Sequence, residues 1–178
     1  MRWLSYFILA YVTISLQIGL NGVLDWGVAA PNFVLPVVVF VAINASREEA
    51  LIGTFLLGVM QDLFTLQPLG LYAFSYGMLG LFAVGAQPSL YKDHPLTHFV
   101  LALAGGLLTG FVVLFNEWTY PILHGLRDAP RPSPARLFGG ALYTAAVAPV
   151  LLGGLTRVKR VFSFRGGKTN YSRFASRA

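Results

Sequence analysis

The chain has 178 residues, of which 56% are hydrophobic and only 11% charged, with a mean hydropathy of +0.65. Soluble domains carry about 25% charged residues, so this balance excludes an ordinary water-soluble globule and makes lipid the expected solvent. The lack of cysteine excludes disulfides, thiolate catalysis and thiolate metal sites, and a net charge of +6 gathered mostly in the C-terminal tail does not fit a nucleic-acid groove.

The first hydrophobic run, Trp3 to Leu20, contains no charge and is long enough to span. Only Arg2 precedes it and no small-x-small cleavage site follows, so it reads as a retained helix rather than a signal peptide. The second run, Val28 to Ile43, is interrupted near its start by Pro31 and Pro36 and stops at the polar cluster Asn44, Ser46, Arg47, Glu48 and Glu49, a loop and helix start. The third, Ala50 to Leu66, holds Gln61 and Asp62 and is the weakest span by hydropathy. Pro68 and Gly70 mark a tight turn around the start of the fourth, Leu69 to Ala86, which ends before Gln87, Pro88 and the polar stretch Tyr91 to His94. The fifth is Leu96 to Phe115. The longest loop, Asn116 to Arg136, includes the Pro-rich piece Ala129 to Pro134, expected in polyproline II form. Leu137 to Leu155 is the sixth span, with Pro149 as an expected kink. The expected fold is an all-α integral membrane bundle of six transmembrane helices over residues 1–156, followed by a basic cytoplasmic tail over 157–178.

Orientation follows from the placement of lysine and arginine. With the N-terminus inside, the inner side holds Arg2, Arg47, Lys92, Arg157, Lys159, Arg160, Arg165, Lys168, Arg173 and Arg177, whereas the outer side holds only Arg127, Arg131 and Arg136. Both termini are therefore expected in the cytoplasm, and the even number of spans agrees.

Lipid supplies no hydrophobic drive between helices, so bundles rely on small residues for close approach and on polar side chains for hydrogen bonds. Ala102, Gly106 and Gly110 repeat every four residues on the fifth helix, Ala73 and Gly77 on the fourth, and Gly140, Thr144 and Ala148 on the sixth. These stripes read as internal packing faces or, alternatively, as an intermolecular docking face. Thr54, Gly58 and Asp62 form a further series that ends in a charge. An ionisable group inside a membrane costs about 3 kcal/mol or more unless it is paired, protonated or wet, which makes Asp62 a site hypothesis by default. Two roles are open for it: a hub capping backbone amides at the turn around Pro68 and Gly70, or a carboxylate that binds a proton or substrate. No second membrane carboxylate or intramembrane lysine is present to complete a relay, which favours the hub.

The stretch Gly58-Val59-Met60-Gln61-Asp62-Leu63-Phe64, followed by Pro68-Leu69-Gly70-Leu71 and Ala73, resembles the signature of the rod shape-determining protein MreD family. The resemblance is carried mainly by about Gly53 to Gly80; the other helices agree in hydropathy only. It implies a non-enzymatic scaffold subunit of the bacterial elongation machinery that builds lateral peptidoglycan. The partners it implies are an MreC-like single-span protein and, further, MreB, RodA and a penicillin-binding synthase, at the inner membrane. It also implies a fold similar to the substrate-binding subunits of energy-coupling-factor vitamin transporters. The long outer loop, with Glu117, Arg127, Asp128, Arg131 and Arg136, departs from the family pattern.

An alternative function, a vitamin-type substrate-binding subunit, requires a polar, aromatic outer pocket near Asp62, Gln67, Trp118 and Tyr120. The few polar residues within the spans favour the scaffold. No P-loop, Gly-x-Ser-x-Gly elbow, His-Glu-x-x-His or pair of membrane aspartates is present, so no catalytic residue and no cofactor are expected. His94 and His98 share a helical spacing but lack an obvious third ligand, so no metal is expected. In the tail, Arg157, Lys159, Arg160, Arg165 and Lys168 are interleaved with Phe162, Phe164, Tyr171 and Phe174. That pattern is a positive-inside anchor or a contact for anionic lipid or a cytoskeletal filament.

Overall fold

The computed structural model describes residues 3–24, 31–65, 68–87, 94–123 and 134–162, and these contain six helices and no strand. The helices are α1 (Trp3–Leu24), α2 (Val34–Asn44), α3 (Arg47–Phe64), α4 (Leu71–Ala86), α5 (Pro95–Leu123) and α6 (Pro134–Phe162). The chain is inside out by soluble standards. Leu4, Tyr11, Leu81, Phe82, Phe111 and Val150 are all exposed, as an apolar solvent allows. Trp3–Leu20, Pro95–Thr119 and Leu137–Arg157 are long and apolar enough to cross a membrane, so the protein is an all-α membrane protein.

The helices differ from the expected spans in ways the sequence explains. The second span, expected at 28–43, is reduced to the 11 residues of α2, about 16 Å at 1.5 Å per residue and well short of a bilayer core of about 30 Å. Residues 31–33 are not helical, because Pro31 cannot donate and Asn32 turns its side chain onto the amides that follow. Pro36 then sits in the first helical turn, where its missing donor costs nothing. α5 continues past Phe115 to Leu123, and α6 begins at Pro134, so the expected loop from Asn116 to Arg136 is helical at both ends. Within the Pro-rich piece, residues 129–133 lie outside the described residues, and Pro134 takes the helix-start position that suits its fixed φ. α6 passes through Pro149 and on to Phe162, so no break separates the sixth span from the start of the tail.

α2 is apolar all round, and all eleven of its residues are buried, as the pattern requires. It is the central post, packed against each of the other five helices, while α3–α4 and α5–α6 form antiparallel hairpins around it and α1 lies at the edge against α2 and α3. A short apolar helix inside a membrane bundle must have its end groups satisfied by neighbours. At its C-terminal end the Gln87 amide, just past α4, donates to the carbonyls of Ala42 (2.6 Å) and Ala45 (3.3 Å). The next helix starts at once: Ser46, three residues before Glu49, donates to its carboxylate (2.6 Å) in a capping-box sequence.

Small residues set the crossings. At Gly58 a Cβ would run into the backbone of Tyr72 and Ala73, so α3 and α4 touch backbone to backbone there. One further contact outward along the hairpin, Thr54 packs onto Gly80. Gly77 is half-buried, and a Cβ there would meet only the ring of Phe55, at 3.5 Å. In the second hairpin a Cβ at Gly106 would meet Ala141 at 3.0 Å and one at Gly110 would meet Leu137 at 3.6 Å, while Ala102 is fully buried. On α6, Thr144 and Ala148 are buried and Gly140 half-buried.

Candidate functional site

Several polar residues of the spans gather at the end of the bundle that holds the α3–α4 turn. Asp62, in the last turn of α3 and 2% exposed, accepts three backbone hydrogen bonds from the start of α4. The amides of Gly70 and Ala73 donate to Oδ2 (both 3.0 Å), and the amide of Tyr72 donates to Oδ1 (2.9 Å). A helix leaves its first amides without intrahelical partners and gathers positive charge at that end, so a carboxylate from the neighbouring helix answers both needs. Gly70 permits the geometry. Its φ of 98° is left-handed, a conformation open to glycine at little cost, and it turns the chain so that its own amide and those of α4 face one carboxylate.

The start of α2 is satisfied in the same way, by neutral groups. Asn32 Oδ1 accepts from the amides of Val34 (3.0 Å) and Leu35 (3.2 Å), Gln17 Oε1 of α1 accepts from Phe33 (2.6 Å), and Thr144 Oγ1 of α6 accepts from the Asn32 amide (2.9 Å). Gln17 also donates to the Pro31 carbonyl (3.0 Å). Tyr76 of α4 joins this cap to α3: its hydroxyl accepts from Asn32 Nδ2 (2.8 Å) and donates to Gln61 Oε1 (2.6 Å). Gln17, Asn32, Gln61, Asp62, Tyr76 and Thr144 thus form one polar layer through five helices.

Thr54, Gly58, Asp62, Gly70 and Ala73 come together at the α3–α4 crossing and turn, with Pro68 exposed beside them. Gly77 stands off the crossing; Gly80 holds the place on α4 that Thr54 fills. Of the residues expected to form an outer pocket, Asp62 faces the α4 amides and Trp118 is 64% exposed, while Gln67 and the side chain of Tyr120 lie outside the described residues. His94 is exposed and accepts from the Leu96 amide (3.2 Å), His98 is buried, and no group of three potential metal ligands occurs among the described residues. Arg157 is exposed near the end of α6, Lys159 and Arg160 continue that helix, and Arg165 and Lys168 lie outside the described residues. Sequence reasoning missed Gln17, Asn32 and Tyr76 as members of the site. The available signal was a polar side chain inside, or just before, an apolar helix.

A second feature is a lateral crevice of about 290 Å³ between α5 and α6, lined by apolar residues including Leu107, Gly110, Phe111, Leu114, Leu137 and Phe138.

The family model for the rod shape-determining protein MreD matches residues 1–122. The chain belongs to the MreD family. No curated protein and no solved structure matches it. The matched region holds α1 to α4 and nearly all of α5, and with them every member of the polar layer except Thr144. MreD proteins form a non-catalytic membrane family, and membership gives this chain a role in determining rod shape.

Proposed function

We propose that the chain is a non-enzymatic scaffold of the cell-elongation complex, multi-pass in the bacterial inner membrane with both termini cytoplasmic. It holds an MreC-like single-span protein and the wall synthases through its membrane helices. The observation that carries this reading is the use made of Asp62. A carboxylate placed to bind a substrate or shuttle a proton keeps an oxygen directed into a cavity, whereas both oxygens here accept from the backbone of α4. Its product is shape: a fixed hairpin and a fixed set of lipid-facing surfaces. The crevice between α5 and α6, apolar and laterally open, fits the side chains of a crossing partner helix. The basic residues from Arg157 onward then lie at the anionic cytoplasmic leaflet, each contributing about 1 kcal/mol of attraction near the surface.

The test is to purify the tagged protein from its native host in mild detergent and identify the bound proteins by mass spectrometry. Recovery of an MreC-like protein or wall synthases is the expected result. Recovery of a pair of ATPases with a coupling subunit would replace the scaffold with a transporter's binding subunit.

A further inference from the structure

The polar layer links α1 through Gln17, α2 through Asn32, α3 through Gln61, α4 through Tyr76 and α6 through Thr144. Among the described residues α5 alone contributes no bond to it, yet α5 carries Thr109, 6% exposed, whose Oγ1 is buried without a hydrogen-bond partner there. Register along the helices puts Thr109 at the depth of the layer. Gly105, one turn before Thr109, faces Leu35 of α2 and Leu79 of α4. Moving toward the Asp62 end by about one turn leads from Gly105 to Thr109, from Leu35 to Asn32 and from Leu79 to Tyr76. Asn32 Nδ2 has two hydrogens and gives one to Tyr76, and the Tyr76 oxygen can accept a second bond.

We infer that an ordered water molecule is bound between Thr109 and the Asn32–Tyr76 pair, and that it ties α5 into the layer spanning the other helices. A buried hydroxyl without a partner is destabilising, and buried waters occur where two or more polar groups face one another without direct contact. The alternatives are a hydroxyl turned back onto the Gly105 carbonyl, as threonine in helices often does, or a bound small molecule.

The test uses the purified full-length chain in detergent, so it is independent of the partners proposed above. Three substitutions are compared by thermal unfolding. Thr109→Val should lower the midpoint by about 3 °C, the shift that loss of one buried hydrogen bond produces in a domain of this size. Thr109→Ser should stay near the wild-type midpoint, and Tyr76→Phe should make the further effect of Thr109→Val smaller. A high-resolution structure should show a single water peak within about 3 Å of Thr109 Oγ1. A midpoint for Thr109→Val at or above wild type would overturn the inference. So would a serine variant as unstable as the valine one, a hydroxyl bonded to Gly105, or a small-molecule adduct in native mass spectrometry.

Discussion

The two helical hairpins solve one problem differently. In α5–α6 both helices are 29 residues long, and glycines at the crossing face apolar side chains of the partner helix. In α3–α4 the helices have 18 and 16 residues, their backbones touch at Gly58, and the second helix is capped by a carboxylate from the first. Long helices place their unpaired end groups beyond the lipid, where water satisfies them; short ones leave those groups at membrane depth and need a side chain for each. The charge in the third helix therefore marks where a helix starts inside the bundle. The apolar hairpin keeps a lateral crevice, and the capped hairpin is joined backbone to backbone.

The largest effect should come from removing the cap. Asp62→Leu strands three amides, each costing about 1–3 kcal/mol when buried without a partner, so the chain should lose most of its folded yield in detergent. Asp62→Asn keeps one accepting oxygen but turns an amino group toward a backbone donor; a loss of about 1–2 kcal/mol is expected. Gly58→Ala comes next, at about 1–3 kcal/mol, because its methyl must displace backbone rather than a side chain. Gly77→Ala should be neutral or stabilising by up to about 1 kcal/mol through helix propensity, and similar unfolding midpoints for the two glycine variants would break the contrast between crossing and bystander positions. Asn32→Ala, which frees the Val34 and Leu35 amides, should cost about 1–2 kcal/mol by the same measurement. Gly110→Leu should leave the chain folded, at an overpacking cost of about 1–3 kcal/mol where the added carbons meet Leu137 beside the crevice. Recovery of a partner helix should nevertheless fall; unchanged recovery would remove the crevice as the docking place.

Much of this architecture was legible in the sequence because apolar runs and turn residues report local forces. Asp62, Gly58 and Gly70 stood out as a charge and two glycines in one short apolar stretch, and all three meet at the α3–α4 turn. The length of α2 was not legible. Val28 to Ile43 is apolar enough to span, and what shortens the helix is a set of bonds from Gln17, Asn32 and Thr144, residues distant in sequence from one another. Gly77 and Gly80 are likewise equivalent by composition. The packing of α3 on α4 puts Thr54 against Gly80 and Phe55 beside Gly77.

The central claim is that Asp62 shapes a scaffold rather than binding a substrate, and partner recovery from a graded series tests it most directly. Wild type, Asp62→Asn and Asp62→Leu would be tagged, brought to equal amounts in the membrane of the native host, and purified with whatever remains bound. The account predicts that the MreC-like protein declines in that order, with the asparagine variant intermediate. Equal recovery from all three, or equal loss from both variants, would contradict it.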